Sequence, residues 1–189
     1  MKCEKTARVC GLVVRVLDWL GDLLTFALRG WWGYQFAITG WGKLHNLDRT
    51  AGFFGSLGIP APKINAAMAG STEFLGGVLL GIGLLSRPAG AALTGVMSVA
   101  YLTAHRDALA GLFHKPEDFI AAEPFWYLVI ALLVLAHGPG MLSLDALIAF
   151  LARHRVSESF LALFVGRNTT NRILCKTCPD ADAAPIKPA

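Results

Sequence analysis

Charge is scarce in this chain. Only 16% of its 189 residues are Asp, Glu, Lys or Arg, as 13 acidic and 17 basic side chains. Ordinary soluble domains carry about 25%. With 54% hydrophobic residues and a mean hydropathy of +0.52, a soluble domain of this size would be short of polar surface. Disorder is excluded, because it needs low hydrophobicity and dense charge. Cysteine is scarce as well: Cys3, Cys10, Cys175 and Cys178 cluster at the two ends, which excludes a disulfide-stapled secreted domain. There is no phosphate-binding glycine loop, no nucleophile elbow and no zinc-protease motif. A secretory signal is missing too, since Arg15, Asp18 and Asp22 interrupt the first apolar run. What fits is an integral membrane protein, with an oily helical bundle as the weaker alternative.

What the chain does have is long apolar stretches. A membrane helix needs about 20 of these residues to cross roughly 30 Å of hydrocarbon. Four stretches qualify: Leu23 to Leu44, Ile64 to Leu85, Pro88 to His105 and Ile120 to Pro139. The 20 glycines do not argue against helix, because membrane helices tolerate glycine. Residues 45–63 read as a polar loop punctuated by Gly-Ile-Pro-Ala-Pro at 58–62, and Ser86-Arg87-Pro88 reads as a tight turn. Residues 106–119 read as a charged connection, and Gly138-Pro139-Gly140 ends the fourth helix. Ser143 followed by Asp145 predicts an N-cap and a short helix beyond it.

The expected fold is therefore all-α: an integral membrane four-helix bundle with an N-terminal amphipathic helix and a short C-terminal amphipathic helix. Arg8, Gly11, Arg15, Asp18 and Asp22 recur at helical spacing, giving residues 1–22 one polar stripe. That segment reads as an interfacial helix, or as one packed on a partner protein. The four-span domain is 23–140, the C-terminal amphipathic helices fall in 141–166, and 167–189 has the composition of a disordered cytoplasmic tail.

Four spans put both termini on one side. That side holds Lys2, Lys5, Arg8, Arg15, Arg87, Arg153, Arg155, Arg167, Arg172, Lys176 and Lys187; the other holds Lys43, Arg49, Lys63, Arg106 and Lys115. The excess predicts cytoplasmic termini. The net charge of +4 is thus a topology signal with the lipid bilayer as partner, not a nucleic-acid footprint.

Arg29, Lys43 and Glu73 are the candidate ligand-binding residues. Glu73 sits mid-span, where a charge costs about 3 kcal/mol or more, with Gly70, Gly77 and Gly81 on its face. It either serves a function or pairs with Arg29 to lock two helices. Arg29 lies inside the first span; Lys43 lies at its far end, where an interfacial anchor is the plain reading. Trp31, Trp32, Tyr34 and Trp41 are either interfacial belt residues or the lining for a flat apolar ring such as a quinone. His45, His105 and His114 share the outer side, where a metal or haem competes with ordinary loop histidines. No metal ligand set is assigned. Cys175 and Cys178 form a C-x-x-C, read as a redox or metal pair or as part of a solvated tail.

These pieces, in order, resemble the DoxX family of small four-helix membrane proteins over Leu28 to Ala149. The matching residues are Arg29, Gly33, Gly40, Lys43 and Leu44; Gly-Ile-Pro-Ala-Pro at 58–62; Glu73, Gly76, Gly77, Gly83, Leu84 and Arg87; Glu123; Gly138 to Gly140; and Ser143 to Asp145. The resemblance implies a multi-pass protein of the bacterial inner membrane in a redox context, since a membrane subunit of thiosulfate:quinone oxidoreductase is related. Two functions are expected from this. One is the membrane subunit or partner of a quinone-linked redox system, with a quinone between the first two spans flanked by Arg29 and Glu73. The other is a non-catalytic scaffold anchoring a soluble enzyme.

Overall fold

The computed structural model describes residues 2–152, and the side chains of residues 16–151. Within them the chain is helical throughout: α1 (Lys2–His45), α2 (Leu47–Ser56), α3 (Pro62–Ile82), α4 (Ser86–Thr103), α5 (Arg106–Ala110), α6 (Pro116–Ala121), α7 (Pro124–His137) and α8 (Leu144–Ala152). The all-α expectation holds. Helices α1, α3, α4 and α7 form the bundle, with α3 packed on α1 and α4 packed on α7. Among the described residues no helix is long and apolar enough to cross a membrane.

Local chemistry explains most helix boundaries. Pro62 and Pro124 open α3 and α7, where a missing N–H leaves no bond unmade. Gly83 closes α3 at φ +74°, and its N–H and that of Leu84 return to Leu79 O at 2.9 Å. Ser143 caps α8, accepting from Ala146 N–H at 3.1 Å, as its sequence position predicts.

Five boundaries differ from expectation. Ser86-Arg87-Pro88 is the first turn of α4 rather than a turn ahead of it, and residues 106–119 contain α5 and the first turn of α6. The helix runs unbroken through residue 22, so the N-terminal segment is the first half of α1 rather than a separate element. Nothing there breaks it, since a single glycine (Gly21) is tolerated in a helix. The 45–63 loop contains the ten-residue amphipathic α2. The fourth stretch is divided, because Ala122 is extended between α6 and α7. The 14 residues of α7 span only about 21 Å.

The α1–α3 contact is unusually close. The buried residues of α1 are Arg29, Gly33, Phe36 and Gly40; those of α3 include Ala66, Gly70, Glu73, Gly77 and Leu80. Both sets repeat in alternating steps of three and four, the seam of two helices crossing at a shallow angle. A Cβ on Gly33 would lie 2.6 Å from Gly81 N, and one on Gly77 would lie 2.5 Å from Ala37 N. Backbone therefore meets backbone, as small-residue faces allow. Phe36 and Leu80 continue this seam into a core with Leu93, Met97, Ile130, Ala131 and Val134.

Candidate functional site

Two polar clusters lie along α1, separated by the rise from Arg29 to Lys43, roughly 21 Å. Arg29 is 1% exposed, and its guanidinium donates to Pro139 O and, at 2.6 Å, to Leu142 O. These carbonyls belong to the turn after α7. Asp145, on α8, accepts from the N–H groups of Leu85 and Ser86 at 2.8 and 2.9 Å. It thereby caps α4, whose own N-cap residue, Leu85, has no side-chain acceptor. Arg87 donates from Nε to Leu135 O at 2.9 Å, at the carbonyl end of α7. Arg29, Arg87 and Asp145 thus tie the chain turns together at one end of the bundle.

The second cluster is at the other end. Lys43 Nζ donates to Glu73 Oε1 at 2.5 Å, with the Lys43 side chain 29% exposed and that of Glu73 fully buried. Glu73 Oε2 is buried and has no hydrogen-bond partner. The expected pairing of Glu73 with Arg29 is therefore replaced by Lys43, and Arg29 is engaged with backbone. Lys43 is not an exposed interfacial anchor. The missed signal is in the spacing: positions 29, 33, 36, 40 and 43 form one stripe, and the four before Lys43 are buried.

Beside this pair is a cavity of about 890 Å³, walled by α1, α3, α4 and the start of α7, with α2 along one side. Phe36, Val96, Met97 and Ala100 make an apolar interior; Lys43, Glu73, Thr39 and Tyr127 supply polar groups. Met68, Val99 and Phe53 also line it while more than half exposed, so they mark its mouth. Alongside, α2 is tied to α3 by Lys63 Nζ and Asp48 Oδ1 at 2.9 Å. That hydrogen bond, then the Lys63 charge, holds the Asp48 carboxyl below its ordinary range, although both groups are exposed.

The geometry places the residues of three sequence alternatives. A ring has no room at the α1–α3 seam itself, where backbones touch; the cavity lies to one side of it, with Glu73 on its wall and Arg29 far away. Of the aromatics, Trp31, Tyr34 and Trp41 face outward, whereas Trp32 packs edge-on against Tyr127 with ring centroids 5.1 Å apart. His45, at the end of α1, lies tilted against Trp41, His105 lies by Tyr101 in the link between α4 and α5, and among the described residues no three His, Cys, Asp or Glu gather to hold a metal. Cys175 and Cys178, with the segment from 153 to 166, lie outside the described residues.

The arrangement can hold an amphipathic molecule. Its polar head would meet a buried ion pair and its apolar part would leave through an apolar mouth. No curated protein and no solved structure matches the chain. Residues 24–106 match the family model described as DoxX. That stretch carries Arg29, Lys43, Glu73 and Arg87, and stops before α7 and Asp145. Over that stretch, which is less than half of the chain, it is similar to the DoxX family of membrane proteins.

Proposed function

We propose that this chain is a multi-pass protein of the bacterial inner membrane, with both termini cytoplasmic, and that its cavity binds a quinone for a redox system. The burial pattern supports the membrane reading. Trp31, Ile64 and Met68 are each more than 60% exposed, while Arg29 and Glu73 are buried. That is the reverse of a soluble surface, and large exposed apolar patches mark membrane or partner contact. The two charges within the apolar stretches of α1 and α3, Arg29 and Glu73, are buried, where they do not meet lipid. The order α1, α3, α4, α7 alternates in direction, which supports a common side for the two ends.

The observation that carries the quinone reading is the cavity at the Lys43–Glu73 pair. At about 890 Å³ it lies within the roughly 300–1,000 Å³ of small-molecule sites, which are mostly apolar with a few placed polar groups. Lys43 keeps two N–H donors after serving Glu73, enough to bind a carbonyl oxygen. Glu73 holds the ammonium in place and offers a second proton-accepting oxygen. Electrons would come from a partner enzyme carrying a redox cofactor.

The test is purification in mild detergent followed by extraction. Wild-type protein should carry quinone, and Lys43→Met should carry several-fold less. Quinone-free wild type, together with membranes whose quinone reduction is unaltered by Glu73→Gln, would overturn the reading. The same ion pair favours a second reading. It bridges α1 and α3 beside touching backbones, so it could serve a scaffold that anchors a soluble enzyme. Wild-type protein that captures its partner from native membranes and never carries quinone would establish the scaffold instead.

A further inference from the structure

Across the cavity from Lys43 stands a second donor. Tyr127, in the first turn of α7, lines the cavity and is held by two edge-on contacts, to Phe36 at 4.7 Å and Trp32 at 5.1 Å between centroids. Such contacts fix the ring and hence the direction of its hydroxyl. Among the described residues, the polar neighbour of its hydroxyl is Thr39 Oγ1, at 3.4 Å. Thr39 already donates its single proton to Gln35 O at 2.9 Å, so it can only accept from Tyr127. A separation of 3.4 Å exceeds the roughly 2.5–3.0 Å of a made O–H···O bond. Tyr127 therefore presents a fixed phenol whose proton is nearly unused.

Thr39 and Lys43 are one turn apart on the same wall, about 6 Å along α1. The Tyr127 hydroxyl beside Thr39 and the Lys43 ammonium are thus two donors on one cavity, supplied by different helices. Two separated donors suit a ring with an acceptor at each end. A simple lipid tail would use neither.

We propose that Tyr127 is a positioning residue, and that it and Lys43 hold the two opposite carbonyl oxygens of one para-dicarbonyl ring. This rests on the quinone reading above and narrows it, since it assigns the ring's second carbonyl and its orientation across the bundle. Tyr127→Phe removes the hydroxyl and keeps the two edge-on ring contacts.

The experiment is calorimetric titration of detergent-solubilised full-length protein with two probes. One is a short-tailed para-benzoquinone and the other a mono-ketone ring with the same tail. Wild type should bind the quinone more tightly. Tyr127→Phe should weaken quinone binding about fivefold, the effect of one lost neutral hydrogen bond, and leave mono-ketone binding and the thermal midpoint unchanged. Lys43→Met should weaken both probes. Equal binding of quinone by wild type and Tyr127→Phe, with Lys43 still required, overturns the role of Tyr127 and leaves the quinone reading standing. Failure of wild type to bind either probe overturns both.

Discussion

Removing either partner of the Lys43–Glu73 pair should destabilise the protein, but unequally. Glu73 is fully buried, whereas Lys43 keeps 29% exposure toward the cavity. Lys43→Met strands a carboxylate with no other hydrogen-bond partner at either oxygen. Breaking a buried pair in this way costs roughly 3–5 kcal/mol. Glu73→Gln strands an ammonium that can turn into the cavity, and the amide can still accept one hydrogen bond. That loss is nearer 1–2 kcal/mol. At about 2–4 °C per kcal/mol for a chain of this size, the first variant should melt on the order of 10 °C lower and the second only about 4 °C lower. The double variant Lys43→Met/Glu73→Leu leaves no stranded charge, and should recover most of the loss. The assay is thermal unfolding of detergent-purified protein, analysed as a double-mutant cycle. If Glu73→Gln were the worse variant, or if the double change equalled the sum of the singles, the asymmetric burial would not govern the energetics and the reasoning would fail.

Other outcomes follow from the same structure. Gly77→Leu should abolish folding or force α1 and α3 apart, because even its Cβ would sit 2.5 Å from Ala37 N and 2.7 Å from Gly33 O; loss of monodisperse protein on size exclusion is the readout. Arg29→Lys should lower the thermal midpoint, since one ammonium cannot reproduce a fork that serves Pro139 O and Leu142 O together. Asp145→Ala leaves the N–H groups of Leu85 and Ser86 without their acceptor, at a cost of about 1–2 kcal/mol, measurable as earlier urea unfolding. Lys63 depresses the Asp48 carboxyl, so whatever the contact contributes is present above the pKa of a free Asp and is lost as pH falls through the lowered value. Both side chains are mostly exposed, so Asp48→Asn should leave the thermal midpoint at pH 7 unmoved.

Much of the fold was legible in local chemistry. The glycines and proline at 138–140 and serine at Ser143 mark helix ends, because each acts through its own backbone or its nearest amides. The importance of Arg29 and Glu73 was legible too, since a charge within an apolar run must be compensated wherever it sits. Helix α2 was not, because Asn46, Asp48 and three glycines gave residues 45–63 the composition of a loop. Its helix closes off an already folded α3, and its apolar face has meaning only against that neighbour. The division of the fourth stretch was hidden for a related reason: hydropathy averages across Ala122 and Pro124 and does not register a backbone turn.

The sequence by itself determined that the chain is helical, short of charge and obliged to find partners for Arg29 and Glu73. It could not say which partners. Charges several turns apart in sequence meet or miss according to the register of α1 on α3, and that register is set by where glycine lets the backbones touch. Tertiary packing then gave Glu73 to Lys43 and Arg29 to the carbonyls of the turn after α7. It also left a cavity beside the first pair, whose second donor, Tyr127, comes from a helix more than eighty residues away.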